Sequence, residues 1–265
     1  MVVEASAALL TSFLLALLRT SAWLVLVPPF NGRTIPVQVK VAVALALAIP
    51  VAPQLVDQVP PPEVSALIGA TLLQVLMGLA LGFVTLLVFS AVQAAGELID
   101  MQVGFSLGAM VDPLSGVNQA VFGRLYQLLA LTLLFVIDGH LLLVRGLLAS
   151  FEITPSWPGD WGLLAERLVH DLGAFFVAAV QIALPLIAAL FLAEVVLGLL
   201  SRAAPRMEVF ILGFPLKIAL ALVLVGLTIP LLPGAVDAVT NDAAREHGRL
   251  IGVFDGGQPT DGSAP

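Results

Sequence analysis

The sequence predicts an all-α fold: a polytopic helical membrane protein with about six long apolar helices, several of them kinked, and a glycine-rich loop between the third and fourth. Three observations carry this expectation. The first is composition. Of 265 residues, 60% are hydrophobic and 11% charged, with a mean hydropathy of +1.08, whereas soluble domains run near about half apolar and a quarter charged. So few polar side chains could not cover a water-soluble surface. The second is a series of apolar blocks, each near the roughly 20 residues that a spanning helix needs. The third is punctuation: proline and glycine gather between the blocks, as turn and breaker signals do.

The first block, residues 5–27, could pass for a signal peptide. It lacks a basic leading region, and Glu4 and Arg19 are wrongly placed for one, so it is expected to be a spanning helix. After "VPPFNGRTIP" comes the second block, 37–55, closed by "PQLVDQVPPPE". The third block, 67–92, contains "GLALG" at 78–82, a small-xxx-small pattern suited to close helix packing. The fourth, 125–149, contains "DGH" at 138–140 and is followed by "ITPSWPGDWG". The fifth, 172–200, and the sixth, 209–232, enclose Pro185 and Pro215, each expected to kink its helix. These blocks form one helical membrane domain over 1–240. Residues 241–265 are polar and are expected to be a disordered tail. Six spans would place Arg33, Lys40, Arg124, Arg202 and Arg206 on one side, and Arg167, Arg245 and Arg249 on the other. The richer side is expected to be cytoplasmic, with both termini outside.

The formal charge of −7 falls largely in loops and in the tail, and says little about partners. No basic patch with interleaved aromatics points to nucleic acid. The chain has no cysteine, which excludes disulfides, thiolate nucleophiles and Cys-based metal sites. HExxH, Gly-x-Ser-x-Gly, P-loop and dinucleotide patterns are all missing from the sequence; neither catalysis nor a cofactor is expected. Charges inside apolar blocks are costly and tend to face a bundle interior or water. Arg19, Glu97, Asp100, Asp138, His140, Arg145, Glu194 and Lys217 are of this kind. Each also has a plain reading as a structural ion pair or a snorkelling end. Asp138 and Arg145, seven apart, are expected on one helical face. Glu97 and Asp100 share a face at i,i+3, which like charge disfavours without water or a cation. "DGH" reads more easily as a helix break than as a proton relay through Asp138 and His140.

Between the third and fourth blocks lies "GFSLGAMVDPLSGVNQ". Together with its flanks it forms "AAGELIDMQVGFSLGAMVDPLSG" (94–116), followed by "DGHLLLVRGLLASFEITP" (138–155) and "RAAPRMEVFILGFPLKI" (202–218). In that order and spacing these segments resemble the FliR family of the flagellar type III export apparatus. "PPFNGRTIPVQVKVAVALALAIP" (28–50) resembles its first link and second helix. The resemblance runs from about residue 5 to residue 232. Arg206 and Glu208 depart from the family's "APQxN" turn, so a role resting on those amides does not carry over. The injectisome homologue is the near alternative, although "MQVGFS" and "DGH" look more like the flagellar branch.

The resemblance implies an export-gate subunit of the bacterial inner membrane. Such a subunit assembles with FliP and FliQ, beside FlhB and FlhA, at the flagellar basal body, where unfolded flagellar subunits thread through the ring. It further implies that the loop at 104–121 is a pore plug, with Gly104, Phe105, Ser106, Leu107, Gly108, Met110, Asp112 and Pro113 as its residues. Elementary physics agrees. Gly104, Gly108 and Gly116 permit turns, Pro113 stops a helix, and Phe105, Leu107 and Met110 supply apolar bulk for a dewetting constriction. A loop resting at the membrane surface is the plainer reading. Two rival classes also exist. A secondary transporter would use broken helices and internal repeats, to which Pro185, Pro215 and Lys217 could be bent, but no repeat is visible. An intramembrane enzyme would have Asp138 with His140 alone.

Overall fold

A computed structural model describes residues 2–28, 30–32, 35–61, 63–105, 120–152, 161–203 and 209–254. Among these residues the regular structure is entirely helical. Helix α1 is Val2–Leu26, and α2 is Val37–Val51, continued by a 3₁₀ turn at Ala52–Gln58. Then come α3 (Val64–Val103), α4 (Val121–Val136), α5 (Gly139–Ala149), α6 (Trp161–Ala203) and α7 (Val209–Thr228). A short 3₁₀ turn at Ile229–Leu231 leads into α8 (Leu232–Phe254). Among the described residues, five helical stretches are long and apolar enough to cross a membrane, or six if the bent pair α4–α5 counts as one.

Three boundaries differ from the hydropathy reading, each for a physical reason. Helix α3 does not stop near Val92 but continues to Val103. Gln93, Glu97, Asp100 and Gln102 lower the local hydropathy, yet Ala95, Ile99 and Val103 recur every fourth residue and are buried, so one face still has a core to join. The fourth block is two helices set at 75°. Asp138 between them has φ 56°, the left-handed conformation that aspartate tolerates better than most residues. Finally, residues 241–254, expected in a polar tail, are helical. Ala243, His247 and Leu250 are buried there, a narrow stripe that an averaged polarity conceals. Residues 255–265 lie outside the described residues. Pro185 and Pro215 sit inside α6 and α7, which remain helical on both sides.

The chain divides into two compact units, Met1–Val88 with Asp138–Leu172 and Val239–Pro265, and Phe89–Ile137 with Gly173–Ala238. In the first, α1 packs on α3 through the "GLALG" stretch. A side chain at Gly78 would collide with the Arg19 carbonyl, and one at Gly82 would meet the Trp23 carbonyl at 3.0 Å. Arg19 is wholly buried beside this contact. Its Nε donates to Gln74 Oε1 at 2.6 Å, and its Nη1 donates to the Ser150 carbonyl and hydroxyl. The guanidinium lies 4.3 Å from the Phe151 ring centroid, an attractive cation–π arrangement. His247 ties α8 to α3, its Nε2 lying 2.9 Å from the Leu81 carbonyl and 3.1 Å from Thr85 Oγ1. Gly146 leaves room for that ring, since a Cβ there would run into Nδ1.

The second unit holds the end of α3, α4, most of α6 and α7, with Ile99, Phe122, Tyr126, Leu134, Leu190 and Val225 in its core. Phe176, Leu184, Phe191, Leu192, Leu222 and Leu227 are exposed on α6 and α7. Exposed apolar side chains in this number are what lipid or a partner protein covers.

Candidate functional site

The site is the base of the α3–α4 connection. At its first end, Gly104 has φ 102°, a conformation that a Cβ would make strained. The Gly104 and Phe105 N–H groups both donate to the Asp100 carbonyl at 3.0 Å, closing α3 as a helix C-terminus with a positive-φ glycine closes. At the other end, α4 begins after Ala120, which provides no capping side chain. The cap comes instead from α3. Phe122 N–H donates to Asp100 Oδ1 at 3.0 Å, and Gly123 N–H donates to Oδ2 at 2.9 Å. These are the second and third amides of the helix, the donors that an N-cap side chain ordinarily satisfies. The carboxylate also faces the positive end of the α4 dipole.

Two glycines make this reach possible. A Cβ on Gly96 would lie 2.5 Å from the Phe122 carbonyl oxygen and 2.7 Å from the Gly123 nitrogen. On Gly123 it would lie 2.7 Å from Glu97 Cγ. Backbone therefore meets backbone where α3 passes the start of α4. The Phe105 and Phe122 rings close the same corner, with centroids 5.9 Å apart and planes tilted by 34°. Asp100 is 3% exposed, and both oxygens of its carboxylate are used by these amide donors. Glu97 accepts a hydrogen bond from Gln93 Nε2 at 2.8 Å.

A second polar cluster anchors the end of α3 sideways. Gln102 Nε2 donates to Glu194 Oε2 at 3.1 Å, and Lys217 Nζ donates to Glu194 Oε1 at 2.7 Å. One carboxylate thus joins α3, α6 and α7. Lys217, which the sequence left open as an ion pair or a snorkelling end, pairs with Glu194; their side chains are 18% and 51% exposed.

The remaining sequence candidates fall elsewhere. Asp138 and Arg145 are both exposed and do not pair with each other. The left-handed turn at Asp138 precedes the helix that carries Arg145, so their spacing does not put them on one face. His140 lies half-buried in the first turn of α5, and Arg19 lies buried in the first unit among Gln74, Ser150 and Phe151. Among the described residues no three His, Asp or Glu side chains cluster to hold a metal ion. Ser106, Leu107, Gly108, Met110, Asp112, Pro113, Arg206 and Glu208 lie outside the described residues. Sequence reasoning singled out Asp100 but missed Gly96, Gly123 and Gln102. Asp100 and its amide partners are 22 and 23 residues apart, beyond any local spacing rule. "AAGELID" and "VFGR" carried the only signal, a glycine beside a polar residue in a helical run.

The family described as bacterial export proteins, family 1, matches residues 10–243. The chain is similar to the flagellar biosynthetic protein FliR of Bacillus subtilis (strain 168), 32% identical over 222 residues, 82% of this chain and 85% of the relative. FliR of Escherichia coli (strain K12) is 34% identical over 218 residues, covering 82% and 83% of the two chains. The Yop proteins translocation protein T of Yersinia pestis is 30% identical over a shorter stretch of 154 residues, 56% of this chain and 58% of the relative.

Proposed function

The chain belongs to family 1 of the bacterial export proteins, and we propose on that premise that it is a subunit of the flagellar type III protein export gate. The observation that carries this reading is similarity to FliR proteins across 82% of the chain. The injectisome relative matches 56%, which favours the flagellar branch over the injectisome one. The chain acts as part of a conduit wall in the bacterial inner membrane, at the flagellar basal body. It assembles there with FliP and FliQ, beside FlhB and FlhA, and unfolded flagellar subunits pass in transit. The exposed apolar residues of α6 and α7 support burial against lipid and partner helices.

Within this reading, residues 104–121 plug the conduit. Support comes from the composition of the segment: glycines and Pro113 prevent a through-helix, while Phe105, Leu107 and Met110 are apolar. Irregular backbone at membrane depth is tolerated when it is buried in protein or lines a cavity, and an apolar constriction holds a pore shut by dewetting. The test is deletion of residues 106–109 in cells carrying the whole apparatus. Expected are normal complex levels with ion leakage across the membrane. A shortened chain that assembles, leaks nothing and exports flagellar subunits normally would overturn the plug. Loss of the gene without loss of flagellar export would overturn the gate.

A further inference from the structure

A second pair of acids, Asp171 on α6 and Glu246 on α8, lies wholly within the first compact unit. Glu246 is 7% exposed, and the Asp171 side chain is 10% exposed. The two carboxyls act on each other electrostatically from one helix to the other. Each has one oxygen engaged. Asp171 Oδ1 lies 3.6 Å from His170 Nδ1, and Glu246 Oε2 accepts from Arg249 Nη1 at 2.8 Å. The other oxygen of each, Asp171 Oδ2 and Glu246 Oε1, is buried and has no hydrogen-bond donor among the described residues. Arg167 on α6 and Asp242 on α8 also act on this cluster. Asp242 pairs with Arg245, and the side chains of both, like those of His170 and Arg249, are more than half exposed, so water screens them. His247, next to Glu246, points its Nε2 to Leu81 and Thr85 instead.

We propose that Asp171 and Glu246 form a proton-binding site, in which one proton is held between Asp171 Oδ2 and Glu246 Oε1. Two ionised carboxylates would leave both buried oxygens unsatisfied and two like charges facing each other, and removal from water makes each cost large. A single proton removes both costs. It turns one carboxyl into a donor for the free oxygen of the other, and it reduces two negative charges to one, which Arg249 balances at Glu246 Oε2. A divalent cation fits less well. It takes about six oxygen ligands, whereas among the described residues no three His, Asp or Glu side chains cluster to hold one. The shared proton joins α6 to α8, so the strength of that contact is linked to proton uptake and release. This site stands on the first unit alone and is independent of the gate reading.

The experiment uses the complex purified with its partners, unsubstituted or carrying Asp171→Asn or Glu246→Gln. Each amide has the shape of the acid it replaces and brings its own N–H donor, so the remaining carboxyl ionises and the proton is not retained. Infrared spectroscopy reads the carbonyl band of a protonated carboxyl, identified by its shift in heavy water. At neutral pH the difference between the unsubstituted complex and either variant is expected to show one such band, of equal size for the two variants. In the unsubstituted complex the band should fade as the pH is raised. Equal loss from either substitution is what a shared proton requires. No band in either difference would mean that both carboxyls are ionised, and would overturn the site. A band removed by one substitution and kept in the other would assign the proton to a single buried acid and overturn the sharing. Magnesium or calcium chloride is expected to leave the band unchanged, and its displacement would mark a cation site instead. Both variants are expected to accumulate to the level of the unsubstituted chain, because each amide supplies the missing donor. Failure of either to accumulate would contradict that assignment.

Discussion

A charge in an apolar helix acquires its meaning from the donors and acceptors around it. Arg19 meets Gln74, Ser150 and the Phe151 ring. Replacing it by Met would strand the buried Ser150 carbonyl and the Gln74 amide, an expected loss of about 2–4 kcal/mol, because a buried polar group without a partner bears its full desolvation cost. Thermal aggregation of the purified complex measures this. Lys217 faces a half-exposed Glu194, and solvent screening holds that pair to about 1 kcal/mol or less. Lys217→Arg should be neutral and Lys217→Leu only mildly destabilising in the same assay. At Asp138 the backbone matters more than the charge. Asn accepts the left-handed conformation and should preserve stability, whereas Val should cost about 1–2 kcal/mol. All of these charges were legible in the sequence as costly. Their partners were not, since Arg19 and Ser150 are 131 residues apart.

At the level of elements, hydropathy located the helices and misjudged their ends. It reports the average character of a window, while a helix persists wherever one face stays apolar. That is why α3 extends through Glu97 and Asp100 and why α8 continues through His247. The break at Asp138 was legible from "DGH", although its consequence, two helices bent by 75°, needed the structure. The glycines gave a mixed result. Gly78 and Gly82 were readable as a packing face from their four-residue spacing, but Gly96 and Gly123 form one contact from two separate helices. Alanine at Gly96 or Gly123 should push α3 and α4 apart and cost about 1–3 kcal/mol, the usual range for overpacking. Exchange at the start of α4 should rise with it. Gly104→Val should impair export without a leak, because the strain of a side chain at φ 102°, roughly 1 kcal/mol or more, falls on the α3 end and leaves the segment its full length. Flagellar export and ion permeability, measured at matched complex levels, test that distinction.

For the whole molecule, the apolar exterior is the decisive property. Phe191, Leu192, Leu222 and Leu227 are each more than half exposed, more than a monomer in water could sustain. Co-expression with FliP and FliQ should raise the yield of dispersed protein in detergent and its resistance to proteolysis; an equally well-behaved chain without them would argue against assembly as a gate. Membership of the export family was legible from four segments in register, because motif order survives where side-chain contacts cannot be read. The central proposal is that residues 104–121 plug the conduit through which export substrates pass. It is tested most directly by placing a photo-crosslinking amino acid at Phe105 and, as a control, at Leu192 on α6, in cells holding a flagellar subunit stalled in export. The expected result is a covalent adduct to the stalled subunit from position 105 and none from position 192. Assembled complexes that export normally yet give no adduct at position 105 would contradict the account.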